Sequence, residues 1–191
     1  MATQIGAVLP AWSNRLIAEL DASDQSAKEL MIGLTPEQLN WQPAPGAWSV
    51  GQCLEHLCIT SEAYLPAIAG SLAGKPVSAV QEITPGWLGR WFIRSFIEPS
   101  PQTKRAKAPK KIVPGVRVGL SVLDRFLRSN QAARELVRNA GDYDVNRIRF
   151  RNPFIPFLRF TAGTGLQIVS RHEHRHLLQA ERVKRSSDFP R

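Results

Sequence analysis

Long apolar runs are absent from this sequence and cysteine is scarce, and each absence narrows the class of protein. No window approaches the roughly 18 to 20 apolar residues of a membrane-spanning helix, and residues 1–10 lack the pattern of a signal peptide. The two cysteines, Cys53 and Cys58, lie in one helical segment where their side chains diverge and cannot form a disulfide. These features predict a cytoplasmic protein in a reducing compartment.

Acidic residues are too few to balance the basic ones. The chain has 25 Lys and Arg against 16 Asp and Glu, a formal net charge of +9. An excess of this kind is typical of proteins that contact nucleic acid, an anionic membrane surface or an acidic substrate. The segment from Pro101 to Arg117 contains no acidic residue. Its basic residues are Lys104, Arg105, Lys107, Lys110, Lys111 and Arg117.

Helical periodicity dominates the remaining sequence, and no segment predicts a strand. Of the 191 residues, 43% are hydrophobic, which is ordinary for a globular protein and predicts one domain over residues 1–191. Apolar residues recur at spacings of three and four, as on the inward face of a helix. Asp21 to Asp24 is a point where the first helix could be interrupted. The predicted long helices span about 11–34, 49–70, 118–140 and 163–185.

Local signals define where these helices start and what connects them. Thr35 with Gln38 and Ser49 with Gln52 are capping boxes, which predict a short helical turn and the start of the second long helix. An irregular aromatic and basic connection follows at about 77–117 and contains one short helix. The sequence therefore predicts an all-α four-helix bundle with long connections between helices 2 and 3 and between helices 3 and 4.

Three histidines fall on inward helix faces. His172 and His176 lie one turn apart on the apolar stripe of the last helix and could hold one divalent metal ion. The alternative is a polar helix surface, because two histidines at this spacing often occur by chance. His56 lies on the inward face of the second long helix, where a hydrogen-bonded core histidine is the alternative. Together the three predict a metal site with open coordination positions, whereas His174 should face solvent.

Several neighbouring residues have two interpretations each. Cys53 could lie near the metal as a thiolate or pack as a buried apolar side chain. Gln179 and Gln52 could hydrogen-bond to the ligands or serve helix packing and capping. Trp48 is expected to pack against the start of its helix, with ligand contact as the alternative. Gly163 to Gly165 lacks the partners of a phosphate loop and predicts a helix start.

Two irregular connections carry aromatic and basic residues. The segment from Trp87 to Lys111 could be a membrane-surface helix with a polybasic patch, a nucleic-acid contact, or an aromatic lid followed by a solvated loop. Arg147, Arg149 and Arg151 alternate with apolar residues in the second connection, 142–160. An anionic substrate would be implied if both basic connections met over the metal.

The motifs around the histidines resemble those of a known family. Leu34 to Trp41, Pro45 to Val50 and His56-Leu57 resemble the opening signature of the DinB-like (YfiT-type) family, and His172 to Ala180 resembles its closing one. The resemblance implies a four-helix bundle, usually a homodimer, with a divalent metal held by one histidine of helix 2 and a pair of helix 4. By motif these are His56, His172 and His176. Members include transferases and an isomerase that use low-molecular-weight thiols, and proteins described as metal-dependent hydrolases.

These observations predict a metal-dependent enzyme of the thiol S-transferase or hydrolase type. The metal, with zinc or nickel expected before iron, cobalt or manganese, would activate a thiol or water. The substrate would be a small molecule, the protein a homodimer, and nucleic acid is not an expected partner. The sequence identifies no general base, and it shows no Ser-His-Asp set and no paired carboxylates on an inward face. The alternative is a non-enzymatic helical module that binds an anionic partner or a membrane surface.

Overall fold

The structure is a computed structural model that describes residues 9–98 and 109–191. Lys104, Arg105 and Lys107 of the basic segment lie outside the described residues. Among the described residues, no helix combines the length and apolarity needed to cross a bilayer. The α-helices are α1 (Ala11–Met31), α2 (Pro36–Asn40), α3 (Val50–Leu72), α4 (Trp87–Phe92), α5 (Val122–Ala140) and α6 (Ala162–Lys184). A π-helical turn (Ile93–Ile97) and a 3-10 turn (Lys110–Ile112) lie in the connection between α3 and α5.

The four long helices form the predicted bundle. α3 packs against both α5 and α6, and α1 packs against the same two helices. This arrangement places α1 and α3 at opposite corners, although they are the first two long helices in the chain. The connection between α1 and α3 and the connection between α5 and α6 therefore each join helices at opposite corners, whereas α3 and α5 are neighbours. The prediction of an all-α four-helix bundle is confirmed.

Hydrogen bonds of side chains to the backbone set the helix boundaries. Both predicted capping boxes form: Gln38 N donates to Thr35 Oγ1 (3.2 Å), and Gln52 N donates to Ser49 Oγ (3.1 Å). α5 begins at Val122, later than the predicted residue 118. Asn40 explains the difference, because its side chain accepts from the N–H of Val118 (2.7 Å) and donates to its carbonyl (2.9 Å). These two bonds keep Val118 out of the helix.

The prediction that no segment forms a strand is wrong. Residues of the second connection form an antiparallel hairpin of two short strands, β1 (Arg149–Arg151) and β2 (Arg159–Thr161). Phe150 lies opposite Phe160, and both are buried while the flanking arginines are exposed. The alternation of arginine and phenylalanine in the sequence is typical of a half-buried strand, but three residues are too few for periodicity to identify a strand.

Gly165 is the position where the hairpin comes closest to α6. A Cβ atom at Gly165 would lie 2.6 Å from Phe150 Cε1 and 2.8 Å from Ile68 Cδ1. The Gly165→Ala variant should therefore lose about 1 to 3 kcal/mol of unfolding free energy, because the packed ring has to shift. Gly70 is the matched control, since a Cβ there meets nothing within 4 Å and Gly70→Ala should be neutral or gain up to about 1 kcal/mol. Urea unfolding of both variants measures the difference, and equal stabilities would contradict the packing argument.

Candidate metal centre

The contact between α3 and α6 brings three histidines together. α3 supplies His56, and α6 supplies His172 and His176 from successive turns. One ring nitrogen from each histidine lies within 4.8 Å of the other two. The ring centroids are 4.6 to 4.9 Å apart. His174 is exposed on the other side of the same helix, as predicted.

Hydrogen bonds fix the tautomers of His56 and His176. His56 Nδ1 lies 2.8 Å from the carbonyl oxygen of Ile112, and a carbonyl can only accept, so Nδ1 carries the proton. His176 Nδ1 lies 2.9 Å from Gln179 Oε1, which is also an acceptor. Each Nε2 therefore keeps a free lone pair. An acceptor on Nδ1 is the usual partner of a histidine that binds metal through Nε2.

His172 completes the set of nitrogen donors. Thr60 Oγ1 donates to the carbonyl oxygen of His56 (2.9 Å), so it can only accept from His172 Nδ1, at 3.5 Å. His172 Nε2 then faces His56 Nε2 at 3.2 Å. With both protons on Nδ1, two lone pairs point at each other and repel. A cation bound by both nitrogens would remove the repulsion, so the donor set fits a metal ion.

Burial keeps the three imidazoles neutral. Loss of solvent lowers the pKa of His56 to about 4 and that of His176 to about 3. The pKa of His172 is lowered well below its ordinary range, by burial first and by the neighbouring histidines and Arg175 second. Metal binding requires deprotonated imidazole. The environment thus holds all three side chains in the form that binds metal near pH 7.

A cavity of about 490 Å³ opens beside the histidines. The two long connections meet there, mainly through apolar residues. Arg147, Arg149 and Arg151 are exposed and do not line it, so among the described residues the condition stated for an anionic substrate, that both basic connections meet over the metal, is not met. Successive side chains of β1 lie on opposite faces of the strand, so Arg149 and Arg151 are exposed and Phe150 is buried. Aromatic lining residues include Trp48, Trp91, Phe92, Phe96, Phe154 and Phe157.

Trp48 lines the cavity beside the histidines and also packs against the hydrophobic core. It packs against the apolar cluster at the start of α3, as predicted. Its ring centroid also lies 4.6 Å from that of His56 and 5.5 Å from that of His176. The indole therefore forms a wall of the cavity beside the histidines, and the alternative of ligand contact gains support.

The other candidate neighbours differ in what they contact. Gln179 accepts from His176, as expected of a residue that orients a ligand. The side chain of Gln52 instead accepts hydrogen bonds from Ser49 N and Gln42 Nε2 and donates one to the carbonyl oxygen of Gly115. Cys53 is buried in an apolar cluster, where loss of solvent raises the pKa of its thiol to about 12. The thiol stays protonated, which favours the packing interpretation.

Gln179 provides a test of the tautomer argument. The Gln179→Leu variant removes the acceptor from His176 Nδ1. We expect zinc affinity to fall about 10- to 100-fold, as is typical when the hydrogen-bond partner of a metal-binding histidine is lost. Gln179→Glu is the control, because it keeps an acceptor at the same place. Zinc competition with a chromophoric chelator measures both, and an unchanged affinity in Gln179→Leu would contradict the argument.

Sequence reasoning missed a buried polar layer on the far side of α6. The statement that no paired carboxylates face inward is wrong, since Asp24 and Glu173 are both buried and both accept from Asn130 Nδ2, at 2.8 and 3.2 Å. Burial raises the pKa of Glu173 to about 8. A signal existed, because Glu173 lies four residues from both Val169 and Leu177 on one helical stripe. Neither carboxylate lines the cavity.

Comparisons with known proteins agree with this fold. A family model described as the DinB superfamily matches residues 19–180. Among solved structures, the chain is similar to YfiT from Bacillus subtilis, described as a probable metal-dependent hydrolase with an unusual four-helix bundle topology. The TM-score is 0.59 at 17% identity, over 96% of this chain and 92% of that chain. Among curated proteins, none matches.

Proposed function

Because this chain belongs to the DinB superfamily, we propose that it is a metal-dependent enzyme in which His56, His172 and His176 hold a divalent transition metal. The observation that carries the proposal is the cluster of three histidines beside a cavity, in which one ring nitrogen of each lies within 4.8 Å of the other two. Structural zinc sites are closed by four protein ligands. Three ligands leave positions for water and substrate, which is the arrangement of a catalytic site.

Hydrolysis is the reaction class that we propose first. When bound, a metal of this kind supplies a Lewis acid that lowers the pKa of a coordinated water or thiol. The chain's part is to hold three neutral imidazoles in fixed orientation and to surround the site with apolar walls. The description of YfiT as a probable metal-dependent hydrolase supports water as the nucleophile. Thiol transfer is the alternative, from the family resemblance.

Activity measurements with and without thiol distinguish these reactions. Purified protein loaded with zinc, nickel, iron, cobalt or manganese would be screened against apolar esters and amides, with and without a low-molecular-weight thiol. We expect hydrolysis that requires metal, is lost in His172→Ala and is retained in His174→Ala, where the exposed imidazole is removed instead. Turnover that requires thiol would favour transfer. Turnover that is indifferent to metal and to His172 would refute the proposal.

The alternative proposal is a non-enzymatic module that contacts an anionic membrane surface. Trp87 (75% exposed) and Trp91 (51% exposed) lie on α4 with exposed Arg90, a combination found in interfacial helices. The variant Trp87→Ser with Arg90→Gln should abolish co-sedimentation with vesicles that contain anionic lipid. Deleting Trp87 to Lys111 would be a poorer test. Ile112 follows this segment directly, and its carbonyl oxygen accepts a hydrogen bond from His56, so the deletion would also disturb the histidine site.

A further inference from the structure

The walls of the cavity beside the histidines are mostly apolar. Apolar side chains from α6, from the π-helical turn and from the hairpin connection surround it, among them Ile97, Ile155, Leu158, Ile168 and Val169. A polar ligand such as a sugar would lose its hydrogen bonds to water here without replacement. The volume of about 490 Å³ is in the range that encloses a drug-sized ligand. The cavity therefore favours an apolar molecule.

The polar side chains of the lining are largely engaged within the protein. Asn152 donates to the hydroxyl of Tyr64 (2.6 Å) and accepts from the backbone N–H groups of Phe154 (2.8 Å) and Ile155 (3.0 Å). Thr60 donates to the carbonyl oxygen of His56. These groups hold the walls in place, so they offer a ligand few hydrogen bonds.

Arg175 is the exception. It is the one charged side chain in the lining that the structure describes, apart from the neutral histidines. It is half-buried and precedes His176 directly, and its charge contributes to the lowered pKa of both His172 and His176. Its Nη1 donates to the carbonyl oxygen of Glu98 (3.3 Å). Arg175 forms no ion pair with any residue in 9–98 or 109–191.

We propose that the substrate is an apolar molecule with one compact anionic group, such as a carboxylate, which Arg175 binds beside the three histidines. The proposal rests on the proposed function for the identity of the site, and it adds the class of substrate. A guanidinium in an apolar wall binds a carboxylate strongly, because the charge is poorly solvated and the planar fork fits two oxygens. The apolar body of the substrate then fills the aromatic part of the cavity.

Ligand binding to the full chain tests the proposal without relying on turnover. Trp48 and Trp91 line the cavity, so changes in tryptophan fluorescence report on occupancy. Octanoate, 1-octanol and acetate would be titrated into zinc-loaded and metal-free protein. We expect octanoate to bind at least about 10-fold more tightly than octanol. It should bind more than about 100-fold more tightly than acetate, because each buried methylene contributes.

Substitutions at Arg175 test whether this residue causes the preference for octanoate over octanol. Arg175→Gln should remove the difference between octanoate and octanol, and Arg175→Lys should restore part of it and guard against misfolding of the first variant. Arg128→Gln is the matched control, since Arg128 is exposed on α5, outside the lining. Equal binding of octanoate and octanol, acetate binding as tight as octanoate, or an unchanged preference in Arg175→Gln would overturn the proposal.

The two protein forms separate this proposal from the proposed function. In metal-free protein a carboxylate cannot bind through the metal, so any preference for octanoate reports on Arg175. If the protein takes up metal but shows no preference in either form, the substrate proposal fails alone. If the preference is present but the histidine substitutions leave metal content unchanged, the metal-dependent function fails and the ligand class stands.

Discussion

Replacement of His56 or His176 by alanine should abolish stoichiometric binding of a transition metal. Each variant removes one of three clustered nitrogen donors. His56→Ala leaves the two histidines of α6, and His176→Ala leaves one histidine on each of α3 and α6. The loss of metal affinity should exceed the roughly 10- to 100-fold loss that is typical when the hydrogen-bond partner of a metal-binding histidine is removed. Elemental analysis by mass spectrometry of tag-free protein, dialysed without chelator, measures the metal content per chain.

His174→Ala is the control for this measurement. His174 lies on the same helix between the two proposed ligands, but its side chain is exposed and is not part of the cluster. The variant should therefore keep the metal content of the unmodified protein. Metal that is absent from the unmodified protein, or that persists in both His56→Ala and His176→Ala, would refute the metal centre and direct attention to the exposed aromatic surface of α4.

The positions of these histidines could be predicted because the signal is local. His172 and His176 share a helical stripe with Ile168 and Val169, so periodicity alone places them inward. Capping boxes identified the start of α3 and with it the inward face that carries His56. Patterns within single helices thus predict the long helices and the inward faces that carry the three histidines.

The partners of the histidines could not be predicted in the same way. The acceptor for His56 is a backbone carbonyl 56 residues further along the chain. No side-chain identity encodes such a contact, since every residue carries a carbonyl. The same holds for Asn40 and Val118, which are 78 residues apart and delay the start of α5. Arg175 was visible in the sequence, but its place in the lining depends on how α6 packs against both connections.

The buried layer between α1, α5 and α6 was missed because its charges look like surface residues. The predicted interruption of the first helix near Asp21 to Asp24 is wrong, because α1 runs unbroken from Ala11 to Met31. Asp24 turns inward instead and accepts from Arg134 Nη1 (2.8 Å) and Asn130 Nδ2 (2.8 Å). A charged residue can continue a helical stripe if its partner lies on the facing helix, and only the tertiary structure supplies that partner.

Arg134→Met should destabilise the protein by about 3 to 5 kcal/mol, because it leaves the carboxylate of Asp24 buried without its cation. The side chains of Arg134 and Asp24 are only 11% and 13% exposed. Arg117 and Glu37 form an ion pair that is 71% and 73% exposed, so Arg117→Met is the matched control and should change stability by less than about 1 kcal/mol. Urea unfolding measures both, and similar small losses would show that the buried pair is no stronger than the exposed one.

The double variant Asp24→Asn with Arg134→Met separates loss of the pair from loss of packing. It removes both charges, so much of the stability lost in Arg134→Met should return. Asn130 also donates to Glu173, which directly follows His172, so the layer helps to fix the rotation of α6. The histidines themselves lie where α3 and α6 pack together. Folded Arg134→Met should therefore bind as much metal as the unmodified protein, and a lower metal content before unfolding would instead show that the buried layer positions the site.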